Sequence, residues 1–249
     1  MTALRGHRGE KPSYQALRHA DRRARRAGIG WLDTSRVRAR EELRQAEIEL
    51  MHRGERVAEL RLRLPPGPVL DDYVFEEGPA DLAAGDSPVR HVRLSELFTA
   101  PGRELFLYQM MFGKADTEPC PMCTMWCDGL NGVAHHLTQN VDFAVVAAAD
   151  LPALRAHARS RNWTRLRLLS AASNTFKYDL DSEDAEGRQD STISVFTRDD
   201  DGSVRHFYSA HPRMSEDVEE RGTDLIAPVW HVLDLTRRGR GDWYPTLDY

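Results

Sequence analysis

Cys120, Cys123 and Cys127 are the only cysteines in this chain, and they fall within eight residues of one another. Residues three apart on a helix share a face, so Cys120-Pro121-Met122-Cys123 brings two thiols within disulfide reach without moving the backbone. Pro121 lacks an N–H and has its φ preset, which suits the first turn of a helix beginning at Cys120. The unpaired N–H groups and partial positive charge of a helix start favour a thiolate there. The pair therefore reads as a redox dithiol, with Cys120 the nucleophile and Cys123 the resolving thiol. The alternative is two buried, inert thiols. Cys127, one turn further on, is a second resolving thiol or a small buried apolar residue. Trp126 shields the dithiol, offers an apolar docking surface, or simply packs. Asp128 is a candidate proton acceptor, or merely a favourable charge near the helix start.

A soft-metal site is the competing chemistry. It would use the three thiolates with His135 or His136, or Cys123 and Cys127 with His206 or His211. One helix cannot easily wrap four ligands around one ion, and His135 lies eight residues beyond Cys127. No metal and no cofactor are expected. There is no phosphate-binding glycine loop, no nucleotide motif and no Gly-x-Ser-x-Gly elbow. Asn174, Tyr178 and Asp179, in the loop before the hairpin, set substrate specificity or serve turn chemistry, and His231 in the closing helix is a core or surface residue rather than a catalytic one.

Residues 105–112, all apolar or aromatic but for Gln109, read as a strand buried on both faces. A polar loop, 113–119, leads to the cysteine helix, which should run to about Leu137. Residues 141–148 form a second apolar run, and Asp150 caps a helix whose Leu151, Leu154 and Ala158 share a face. Residues 71–75 read as a short extended piece, 92–98 as a strand entering a turn, and 165–169 as weakly alternating. Residues 170–177 read as a polar loop. Residues 192–197 and 204–208 flank Asp199-Asp200-Asp201-Gly202, a β-hairpin with suitable turn chemistry. A last helix is expected over about 217–233. Alternating strands and helices followed by a hairpin imply an α/β sheet covered by helices on both faces. With Cys-x-x-Cys at the first strand-to-helix junction, this is the thioredoxin order.

Ahead of this domain (69–249) the sequence predicts a charged amphipathic helix within 31–68, ended by Pro65 and Pro66. Leu43, Leu50, Val57 and Leu64 recur every seven residues along it. Such a stripe docks on its own domain or pairs two copies in a homodimer. Residues 1–30 are a basic arm. Positions 1–63 carry 16 Lys or Arg against 9 Asp or Glu, +7, while the remainder holds −12 of the overall −5. Aromatic residues barely interleave with the basic ones, which argues against nucleic acid and for an acidic surface as the arm's partner. No apolar run approaches the ~20 residues of a membrane span. The start shows no apolar core of a secretory signal, and three clustered thiols fit a reducing cytoplasm.

Residues 64–67, 72–75, 111–113, 120–123 and 230–236 (Leu-Pro-Pro-Gly, Asp-Tyr-Val-Phe, Met-Phe-Gly, Cys-Pro-Met-Cys, Trp-His-Val-Leu-Asp-Leu-Thr) resemble a bacterial thioredoxin-like family of unknown function. Its members are described as predicted dithiol-disulfide oxidoreductases, and the likeness covers about 35–249, long helix included. It implies a thioredoxin-like fold and dithiol exchange through Cys120 and Cys123 on a protein or small-molecule disulfide. Thioredoxins proper carry a cis-proline before the strand facing the site. Ser191-Thr192-Ile193 has none, which is closer to peroxiredoxins, although the active-site sequence is not theirs. The spacing of Cys123 and Cys127 with a distant histidine also resembles thioredoxin-fold copper chaperones. The remaining alternative is a non-catalytic binding module of the same fold.

Overall fold

From Thr34 to Leu62 the chain is rich in Arg, Glu, Ala and Leu, with no proline, and it forms one helix of 29 residues, α1. The computed structural model describes residues 34–215 and 221–248, so the basic arm (1–30) lies outside the described residues. Glu41 ties α1 locally, accepting from Arg44 at 2.5 Å and from Gln45 at 2.9 Å. Leu43, Leu50 and Val57 are 42–71% exposed. The chain divides after this helix into two units, residues 1–63 and 64–249.

The second unit is built on one seven-stranded sheet, ordered β2-β1-β5-β4-β3-β6-β7. Its elements are β1 Val74–Glu77, β2 Arg90–Arg93, β3 Leu105–Gln109, α2 Pro121–Leu137, β4 Asp142–Ala147, α3 Leu151–Ser160, β5 Leu168–Ser170, α4 Phe176–Asp179, β6 Thr192–Arg198, β7 Val204–Ala210 and α5 Pro228–Asp234. β3, β4 and β5 are parallel, whereas β6 lies antiparallel to β3 and forms the hairpin with β7. Gly202, with φ +89, closes that hairpin, a conformation that glycine adopts at no steric cost. The parallel βαβ start followed by a hairpin and a closing helix, with strands ordered β4-β3-β6-β7, makes this a thioredoxin-like fold.

Side chains alternate across the two central strands. Tyr108 of β3 and Phe143, Val145 and Ala147 of β4 join one core; Leu105 and Leu107, with Ala144 and Val146, join the other. The first core is covered by α2, α3 and Trp230 of α5. The second is covered by shorter pieces, the 3-10 turn Leu94–Leu97 and Phe176 of α4. Both βαβ steps travel the same way across the sheet, and crossovers of one hand then leave both helices on one face.

Several boundaries differ from the sequence reading. β3 stops at Gln109, because residues 110–112 turn away from β6 toward the cysteine helix, although the Met110 N–H still donates to Val146 O at 2.8 Å. The polar stretch at 170–177 opens α4. The closing helix begins at Pro228, after a 3-10 turn at Asp224–Ile226, and residues 216–220 lie outside the described ones. β5 is a further strand, paired with both β4 and β1.

Candidate active site

The three cysteines meet at the carboxyl end of β3. Here the strand order turns back, with β4 and β5 on one side and β6 and β7 on the other. Such a switch point is where open α/β sheets leave a crevice. Cys120 is the N-cap of α2, Pro121 is its first residue, and no side chain caps the helix. Its free N–H groups are thus left to the sulfur. The Cys120 N–H donates to Met111 O at 3.0 Å, fixing the cap against the segment leaving β3.

The three thiols occupy different environments. Cys120 is partly exposed, and Cys123 and Cys127 are buried; all three are free. The Cys123 thiol, the N–H groups of Cys123 and Met122, and the Tyr244 hydroxyl all favour the charged form of the Cys120 sulfur. Together these outweigh burial and pull its pKa down to about 6. Burial pushes the Cys123 thiol well up, the neighbouring Cys120 thiolate adds to this, and Tyr108 and the Met111 N–H partly offset it. That N–H lies 3.4 Å from Cys123 Sγ. Burial likewise raises Cys127, reinforced by Asp128 and Cys120. One face of a helix therefore presents one acidic, reachable thiol with two reluctant ones behind it.

Trp126 is 2% exposed and stands edge-on to Tyr108 at 5.9 Å, so it is a core residue and offers no docking surface. Its Nε1 and the Tyr108 hydroxyl are buried without a nitrogen or oxygen partner among the described residues. Asp128 accepts from Arg161 at 2.7 Å and from Trp163 Nε1 at 2.7 Å, which ties α2 to the end of α3. Arg161 also reaches Leu247 O at 3.3 Å, anchoring the C-terminal segment that carries Tyr244. Asn174 and Asp179 serve local structure: Asn174 donates to Val74 O, and Asp179 accepts from Tyr73 and Thr175. Tyr178 and His231 are exposed. His135 and His136 stack on each other near the far end of α2. His206 bonds Ser209, and His211 bonds Thr192. Among the described residues, no three His, Cys, Asp or Glu side chains are grouped to hold a metal ion.

Four residues of this neighbourhood escape sequence reasoning. Thr124 Oγ1 lies 3.2 Å from Cys120 O and 3.1 Å from His157 Nε2. Burial, aided by Arg161, holds His157 down to about 4, so the imidazole is neutral. Tyr244 comes from the far end of the chain. Lys177 is 1% exposed, and its Nζ donates to Met110 O at 2.9 Å. A lysine that closes a polar loop gives no hint of burial; only the fold shows it.

The sheet is distantly similar to those of several solved structures. PrxQ of Xylella fastidiosa, a point mutant, matches at 13% identity and TM-score 0.45, covering 66% of this chain and 94% of its own. AhpC of Mycobacterium tuberculosis matches at 14% and 0.44, covering 69% and 98%. Prx3 of Vibrio vulnificus, in complex with hydrogen peroxide, matches at 18% and 0.42, covering 65% and 97%. At these identities and scores the likenesses carry nothing about chemistry. No curated protein matches the chain. Residues 33–249 match the model of a family described as "Bacterial protein of unknown function (DUF899)", and the chain belongs to that family.

Proposed function

We propose that this protein is a thiol-disulfide oxidoreductase, with Cys120 as nucleophile and Cys123 as resolving thiol. The observation that carries the reading is the split between them: Cys120 is reachable and held near pKa 6, whereas Cys123 is buried and held protonated behind it. An accessible thiolate beside a masked thiol is what two-step exchange requires. Cys120 thiolate attacks one sulfur of a substrate disulfide, and the other leaves as a thiolate and takes up a proton. Cys123 then loses its proton and attacks Cys120 Sγ, releasing the second substrate thiol. The substrate gains two electrons and two protons, and the protein is left with a Cys120–Cys123 disulfide. The substrate is a protein or small-molecule disulfide, and the setting a reducing compartment such as the cytoplasm. The heptad stripe on α1 pairs two copies of the chain.

Mild oxidation followed by alkylation and peptide mass spectrometry tests this. The peptide holding Cys120 and Cys123 should lose two hydrogens and escape alkylation, and Cys120→Ser should abolish this. A native protein whose three thiols all remain alkylatable after oxidation is an inert module, and the proposal fails.

A further inference from the structure

Residues 110–112 run between the dithiol and Lys177, and their hydrogen bonds follow one line. Lys177 Nζ donates to Met110 O at 2.9 Å. That carbonyl belongs to the same peptide group as the Met111 N–H, which lies 3.4 Å from Cys123 Sγ. The next carbonyl, Met111 O, accepts from the Cys120 N–H. An ammonium on a peptide oxygen draws charge along the amide and makes its N–H a stronger donor. Among the described residues, Lys177 has no carboxylate in hydrogen-bonding reach; its other acceptor, Asp190 O, is 3.5 Å away. A buried lysine so thinly partnered is costly to keep.

We propose that Lys177 is a positioning residue for the resolving step, acting through the Met110–Met111 peptide to stabilise the Cys123 thiolate as it forms. The inference rests on the dithiol reading above and assigns the device that lets a masked thiol ionise when it is needed. Among the described residues, the groups facing this pair are Tyr108 from β3, Cys120 from α2, and Glu183 and Asp190 from the loop after α4. None of these is a cation, so the positive charge at the pair is Lys177's own; Asp190 is itself paired with Arg213 at 3.1 Å. Burial holds its pKa down to about 8, so the cation is present at neutral pH and fades above it.

The test uses the full chain and the aromatic disulfide dithiobis(nitrobenzoate), whose thiolate is coloured. The first equivalent of colour reports attack by Cys120, and the second reports resolution by Cys123. Lys177→Met should leave the first phase unchanged and slow the second about tenfold at neutral pH. That is the scale on which losing one nearby charge cuts a buried thiol's ionised fraction, after allowing for the greater nucleophilicity of a more basic thiolate. The variant's second phase should also need more alkaline solution to reach its plateau. Lys177→Arg, which keeps the charge, should stay within about threefold of the native rate; where arginine does not fold, the pH profile of Lys177→Met decides alone. A second phase unchanged in rate and profile in Lys177→Met overturns the inference and leaves the dithiol reading standing. Both phases slowed alike, with a lowered melting temperature, assign Lys177 to structure and overturn it too. A native protein that releases no second equivalent removes both readings.

Discussion

The sharpest consequence of the Cys120 environment lies in acid solution. With a pKa of about 6, Cys120 is about one-tenth thiolate at pH 5, whereas an ordinary thiol near 8.5 is ionised to only about three parts in ten thousand. A less basic thiolate is a weaker nucleophile, by roughly ten- to twentyfold over this difference for a Brønsted coefficient of ~0.4–0.5. The remaining advantage is about 20-fold at pH 5, and it disappears near pH 7. The assay is iodoacetamide labelling of the reduced native protein against a cysteine peptide, over about pH 4 to 10, with the label located by mass spectrometry. Cys120 should label first, level off above about pH 7, and outpace the peptide only in acid. Cys123→Ala removes the largest contribution to this acidity, the thiol donor, so its inflection should move up toward the ordinary range. An inflection near 8.5 in the native protein, or first labelling at Cys123 or Cys127, refutes the electrostatic argument.

Asp128→Asn should lower stability by about 1–3 kcal/mol in urea unfolding, since the partly buried ion pair to Arg161 is lost. Labelling of Cys120 should survive it; a proton-accepting role for Asp128 would instead cost reactivity. His157, held down to about 4, binds a proton less readily than in the unfolded chain at ~6.5, so stability should fall as pH drops from 6.5 toward 4. The full shift would cost about 2.6 kcal/mol by pH 4.5, and solvent screening of this partly exposed ring reduces that to about 1–2 kcal/mol; His157→Gln should flatten it, and equal pH slopes in the two proteins would sink the assignment. Leu50→Asp, at a 71% exposed position of the heptad stripe, should convert a dimer to a monomer in sedimentation. A native chain that is already monomeric refutes the pairing.

The features legible in the amino-acid order are those that depend on neighbours along the chain. The hairpin around Gly202 is set by local turn chemistry. The long helix ends where Pro65 and Pro66 forbid it. Pro121 at the first helical position, with cysteines three apart, places the dithiol at a helix start, and the βαβ order gives the thioredoxin-like fold. These signals have periods of two, three or four residues, and they survive without tertiary contacts. The split between thiols is only half legible: helix-end electrostatics point to Cys120, but the suppressed ionisation of Cys123 and Cys127 comes from burial, which spacing does not encode. Trp126 and Asp128 are a clear case. Their types suggest a docking surface and a proton acceptor. The fold puts the indole against Tyr108 and binds the carboxylate to Arg161 and Trp163, over 30 residues away. Tyr244 at Cys120 and Lys177 behind the Met110–Met111 peptide join positions far apart in the chain. Sequence determined which element carries the thiols and in what order they stand. Tertiary structure alone decided which thiol meets solvent, which is masked and which cation stands behind it, because burial and long-range hydrogen bonds exist only once the sheet has closed.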